Sequence, residues 1–76
     1  MNTEYKYIYF KLDPNKEPNR KTKIWLCCNK ESDTVLAEIK WYPPWRQYCL
    51  LPENYMVFND GYLKGIVDFL NQLNKR

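Results

Sequence analysis

The chain has no histidine and one serine, Ser32. Without an imidazole there is no Ser-His or Cys-His nucleophile pair and no histidine acid or base. Glycine is nearly as scarce, with Gly61 and Gly65 the only two. That excludes a glycine-rich loop of the kind that cradles phosphate. Cysteine occurs in an odd number: Cys27, Cys28 and Cys49. A disulfide framework uses an even count, so reduced thiols and a cytoplasmic setting are expected. Three cysteines with no histidine and no CxxC spacing do not complete a common zinc set. Neither a metal nor a cofactor is expected. No apolar run approaches the ~20 residues that span a bilayer. The start, MNTEYKYIYF, lacks the basic head, apolar stretch and cleavage site of a secretory signal. No membrane contact is expected.

What is present is aromatic and mildly basic. Of 76 residues, 45% are hydrophobic and 17% aromatic. This length holds one small core, and large rings let few residues bury much area. The net charge is +3, from 12 Lys and Arg against 9 Asp and Glu. A dedicated duplex-DNA binder is usually more basic, because it neutralises many phosphates.

Along the chain the apolar period is two, then changes to helical. From Met1 to Leu12, Ile8, Phe10 and Leu12 share one parity and are expected inside, while Tyr5, Tyr7 and Tyr9 form a row on the other. The segment DPNKEPNRKT from Asp13 to Thr22 is a loop. Lys23 to Cys28 reads as a second strand whose adjacent cysteines point to opposite faces. After the polar turn NKESD, Thr34 to Tyr42 reads as a third strand, with Val35, Ala37, Ile39 and Trp41 toward the core. Pro43 and Pro44 reverse the chain. Trp45 to Leu51 returns as a fourth strand, apolar on both faces, so parity alone does not set its register. Tyr55 to Phe58 is expected as a short extended piece. Asn59 or Asp60 then caps a helix. Its apolar stripe is Leu63, Ile66, Val67, Leu70 and Leu73, flanked by Tyr62 and Phe69. Gly65 in its interior costs about 1 kcal/mol against Ala, and close approach to the sheet is the expected reason. The expected fold is α+β: one domain over residues 1–76, a single antiparallel sheet of about four strands, and one C-terminal helix across one face.

Little in this set supports catalysis. Glu38, beside Lys40 and near Arg46, reads as a surface charge pair, and Cys49 as a structural thiol. The chain is expected not to be an enzyme. The hairpin VLAEIKWYPPWRQYCLLP mixes rings with cations. Lys40, Tyr42, Trp45, Arg46 and Tyr48 are the candidate partner-binding residues, with Lys40, Tyr42, Arg46 and Tyr48 forming an exposed sheet surface if they share the outer face. Trp, Tyr and Arg dominate binding hot spots. The same rings, with Lys16, Arg20, Lys21 and Lys23, are the candidate contacts for single-stranded nucleic acid. The plain alternative is that the tryptophans are core and Arg46 packs over a ring.

The run AEIKWYPPWRQYCLLP, followed by MVFNDGYLKGIVDFLNQL, resembles a family of small uncharacterised bacterial and phage-borne proteins. The pattern is G-E-I-x-W-Y-x-x-W-R-x-Y-x-F-x-P, then V-F, then an acidic-capped helix ending D-F. Glu38, Ile39, Trp41, Tyr42, Trp45, Arg46, Tyr48, Pro52, Val57, Phe58, Asp68 and Phe69 match it. Ala37 stands where the pattern has Gly, and Leu50 where it has Phe. The likeness covers the C-terminal half and implies a phage or mobile-element setting, with no catalytic residue. The expectation is therefore a non-enzymatic module that binds a protein partner or a second copy, such as one that modulates a host factor. The alternative is a single-stranded nucleic-acid binder.

Overall fold

The computed structural model describes residues 1–14 and 21–75. Four strands, β1 (Ile8–Leu12), β2 (Trp25–Asn29), β3 (Val35–Tyr42) and β4 (Gln47–Pro52), form one antiparallel sheet in the order β1-β2-β3-β4. A 3-10 turn, Pro43–Trp45, joins β3 to β4, and a helix, α1 (Asp60–Asn74), follows the sheet. This is the α+β architecture that the change of period predicts.

Residues opposite one another in the ladder share a face. Phe10, Cys27, Ala37 and Pro52 form one such row, and Leu12, Trp25, Ile39 and Leu50 the next. This is the helix side. The Phe69 ring of α1 stacks on Phe10 at 4.0 Å and meets the Trp25 ring edge-on at 5.2 Å. Ile8, Cys27, Ala37, Ile39 and Phe69 are fully enclosed there. An extra residue, Leu36, interrupts the β2–β3 ladder between its Cys27 and Cys28 pairings. Such a bulge breaks the alternation of faces between the residues on its two sides. Val35 therefore pairs with Cys28 on the other face, not with the Ala37–Ile39 row.

The N-terminal expectation needs correcting. The first strand begins only at Ile8, because residues 3–5 fold back along it. Phe10 N–H donates to Thr3 C=O at 2.8 Å, and Tyr5 N–H to Ile8 C=O at 2.9 Å. The three tyrosines therefore share no face. Tyr5 lies under the helix, its hydroxyl donating to Asp68 Oδ2 at 2.6 Å. Tyr7 packs edge-on to Tyr62, and Tyr9 donates to Asp33 Oδ1 at 2.8 Å. Leu12, expected inside, is at the sheet margin and exposed.

The helix starts where its cap predicts. Asn59 Oδ1 accepts from Tyr62 N–H at 3.0 Å, and Asp60 sits in the first turn. Gly65 approaches the sheet closely: a Cβ there would lie 3.1 Å from Ile8 Cδ1 and 3.2 Å from Tyr5 Cγ. The buried stripe is rotated from the expected one. Gly65, Ile66 and Phe69 are buried, with Tyr62, Leu70 and Leu73 beside them, while Leu63 and Val67 face outward. Tyr55 to Phe58 is not a strand. In that connection Met56 and Phe58 pack against the core and Tyr55 and Val57 point away.

Candidate functional site

The β3–β4 connection builds a protruding corner. Two prolines preset the 3-10 turn, and its last residue, Trp45, is 67% exposed. The Tyr42 ring meets the Trp45 indole edge-on at 5.3 Å. Arg46 closes the turn in the left-handed region at φ 53, its N–H donating to Tyr42 C=O at 2.9 Å. For a non-glycine residue that conformation costs on the order of 1 kcal/mol. The guanidinium makes no ion pair or hydrogen bond with any described residue.

The five predicted partner-binding residues do not share one face. Tyr42, Trp45 and Arg46 come together at the corner. Tyr48 pairs with Trp41 on the helix side, its ring edge-on to the indole at 5.5 Å. Lys40 pairs with Cys49 on the opposite side of the sheet. The doubled apolar pattern of β4 hid this split. Asn74, at the end of α1, accepts from Tyr48 N–H at 2.7 Å and donates to Tyr48 C=O at 3.2 Å. Those groups therefore point away from β3. The tyrosine ring is drawn under the end of the helix.

A groove of about 380 Å³ opens between β4 and α1. It is lined by Trp45, Gln47, Tyr48, Cys49 and Leu50 from the turn and β4 and by Val67, Leu70, Asn71 and Asn74 from α1. Val67, 54% exposed, continues the surface onto the outer side of the helix, where Leu63 is 48% exposed. Asp60, Lys64, Asp68 and Asn71 border this strip. Leu63 and Val67 are thus part of the candidate face and were expected in the core. Their signal was the excess width of the helix's apolar set: seven large residues exceed what one side of a single sheet can cover.

The chain itself covers part of each sheet edge. The N-terminal fold-back occupies β1, and on β4 Asn74 occupies the Tyr48 groups while Pro52 has no N–H. Exposed apolar side chains lie at the corner and on the helix, and also at Tyr55 and Val57 in the connection before α1 and at Leu12 on the sheet margin.

The predicted nucleic-acid contacts divide as well. Lys21 and Lys23 are exposed just before β2, at the end of the sheet that carries the β3–β4 turn. Lys16 and Arg20 lie outside the described residues. The cysteines hold no reactive geometry. Burial, with Cys28 adjacent, pushes the Cys27 thiol up to about 12. Burial raises Cys28 too, against the Tyr9 hydroxyl and Lys11, which lower it. Thiols held protonated are poor nucleophiles. Cys49 lies on the outer face, its Sγ 3.8 Å from Gln47 C=O. Among the described residues, no group of three or more His, Cys, Asp and Glu could hold a metal ion. No described helix is long and apolar enough to cross a membrane.

Comparison with family models, characterised proteins and solved structures finds no match for this chain.

Proposed function

We propose that the protein is a small non-enzymatic binding module. It acts by protein–protein contact through the Trp45 corner and the adjoining strip of α1. The observation that carries this is Trp45 at 67% exposure beside an Arg46 that pairs with no described residue, with exposed Val67 across one groove and exposed Leu63 next to Val67 on the outer side of the helix. Exposed aromatic and arginine side chains around an apolar depression have the composition of an interface centre. The WY-WRxY resemblance supports a phage or mobile-element setting, in which such a module would act on a host factor in the cytoplasm. Tagged wild-type protein should retain a partner that the Trp45→Ser, Val67→Asp double variant loses while still folded. Equal retention by both would contradict the reading.

A second reading has one observation in its favour. Lys21, Lys23, Lys40 and Arg46 lie toward the same end of the sheet as the Tyr42–Trp45 pair. Rings with cations beside them suit single-stranded nucleic acid. Binding of a fluorescent oligonucleotide at low salt that falls steeply as salt is added would favour it. No binding at low salt would remove it.

A further inference from the structure

We propose that the outer strip of α1 is self-complementary and pairs two copies of this chain through an antiparallel helix–helix contact centred on Val67. The proposal rests on reading the Trp45–α1 surface as a protein-contact face, and it names the partner. Val67 is the eighth residue of a 15-residue helix, at its midpoint, and is exposed. In an isologous pair the same patch meets itself about a two-fold axis. With that axis at Val67, a residue n places before it on one copy lies level with the residue n places after it on the other.

Under that rule the strip sorts itself. Val67 meets Val67. Leu63, four places before, lies within one residue of Leu70, three places after. Asp60, seven before, lies within one residue of Lys75, eight after. One residue is about 1.5 Å of rise. Lys64, three before, lies within two residues, about 3 Å, of Asp68, one after. At 100° per residue, Leu63 and Leu70 fall on the same flank of Val67, while Lys64, Asp68 and Asp60 fall on the other. Apolar therefore faces apolar, Lys64 faces Asp68, whose Oδ2 also accepts from Tyr5 and Gln72 in its own copy, and Lys75, the C-cap just past the helix end, lies level with Asp60. A parallel pair would bring the two Asp60 side chains level and set the Lys64 flank of each copy against the Leu63–Leu70 flank of the other. Asp60, Lys64 and Lys75 make no ion pair within the described residues, so these charges remain open to a partner. The antiparallel arrangement also opposes the two helix dipoles favourably. Trp45, beside Leu70 and Val67 in the groove, flanks the apolar side of the pair.

One helix face and one indole bury less than a standard interface of about 800 Å² per partner, so the dimer belongs to the weak, transient class. Sedimentation velocity between 10 and 500 µM, roughly the range where such contacts form, should show the average mass rising from 9.3 kDa toward twice that value. Val67→Asp places two carboxylates at the axis and should leave a folded monomer throughout.

The sharper test uses charge. Asp60→Lys alone and Lys75→Glu alone each turn both Asp60–Lys75 contacts repulsive and should weaken pairing about tenfold. An equimolar mixture of the two restores both contacts and should dimerise like wild type. Circular dichroism checks that each variant is folded. A wild-type chain that stays monomeric, a Val67→Asp dimer, or a mixture no better than its components overturns the proposal. Loss of self-pairing with continued capture of a different protein by the wild-type face would leave the broader reading standing.

Discussion

The two ends of α1's packing differ in how completely their groups are used. On the β1 side the helix is clasped. Gln72 Nε2 donates to Asn2 C=O at 3.0 Å, to the Tyr5 hydroxyl at 2.8 Å and to Asp68 Oδ2 at 3.2 Å, and its Oε1 accepts from Asn2 N–H at 2.8 Å. Rings of Tyr5, Phe10, Phe69 and Trp25 meet in sequence beneath it. On the β4 side, Asn74 fastens the end of the helix to Tyr48. Beyond it, Trp45, Val67 and Leu63 reach solvent, and Arg46 sits in the left-handed region with no partner among the described residues. The clasped side is spent on stability. The open side keeps apolar area and a charge that pairs with no described residue.

That contrast can be broken first at its stable end. Phe69→Ala removes a fully buried ring from the centre of the clasped side and should cost about 3–5 kcal/mol in urea unfolding. A loss near 1 kcal/mol would mean the ring stack is not the core.

Alkaline pH attacks the same side. Burial, then the Asp68 hydrogen bond and charge, push the Tyr5 phenol from an ordinary 10.0 up to about 12, against a smaller opposing effect of Gln72. Cys27 rises from 9.0 to about 12. The folded state holds these protons more tightly than the unfolded chain. Their contribution is therefore intact below about pH 9 for Cys27 and pH 10 for Tyr5, and is lost as pH climbs to about 12. The urea midpoint should fall across that window, and less steeply in Asp68→Asn. A flat midpoint would contradict the clasp.

A smaller effect is expected at Gly65. Alanine gains helix propensity but needs room that Ile8 and the tethered Tyr5 occupy. The net should be a loss of about 1 kcal/mol. A gain in stability would show that the clasp gives way easily.

The smallest change belongs to the open side. Arg46→Gly relieves the left-handed strain while loosening the unfolded chain, so stability should stay within about 0.5 kcal/mol of wild type. A loss above about 2 kcal/mol would place Arg46 among the residues that build the fold.

The same contrast explains what could be read from residues alone. Period-two alternation located the strands, and in β3 it named Ala37 and Ile39 as core, which are buried. The Asn59 cap and the reason for Gly65 were also legible, because each follows from local chemistry. Tyr5 was not. Its parity matches Tyr7 and Tyr9, and only a fold-back at residues 3–5 separates them. Val35 was misplaced by the bulge at Leu36, which leaves no mark in the alternation. The face of Tyr48 was undecided because β4 is apolar on both sides, and its register against Trp41 of β3 sets it. Leu63 and Val67 looked like core because helical spacing gives a stripe but not the angle at which a sheet receives it. The candidate site is therefore half a sequence feature, the WYPPWR corner, and half a product of how the helix docks.

Photo-crosslinking tests the central claim most directly. A benzophenone side chain would replace Trp45, Val67 or Lys11 in turn, in cells that make the protein. Lys11 pairs with Leu26 on the sheet face away from the helix. The account predicts discrete protein adducts from positions 45 and 67 and none from position 11. Adducts from position 11 alone would place the contact surface on the other face of the sheet and contradict it.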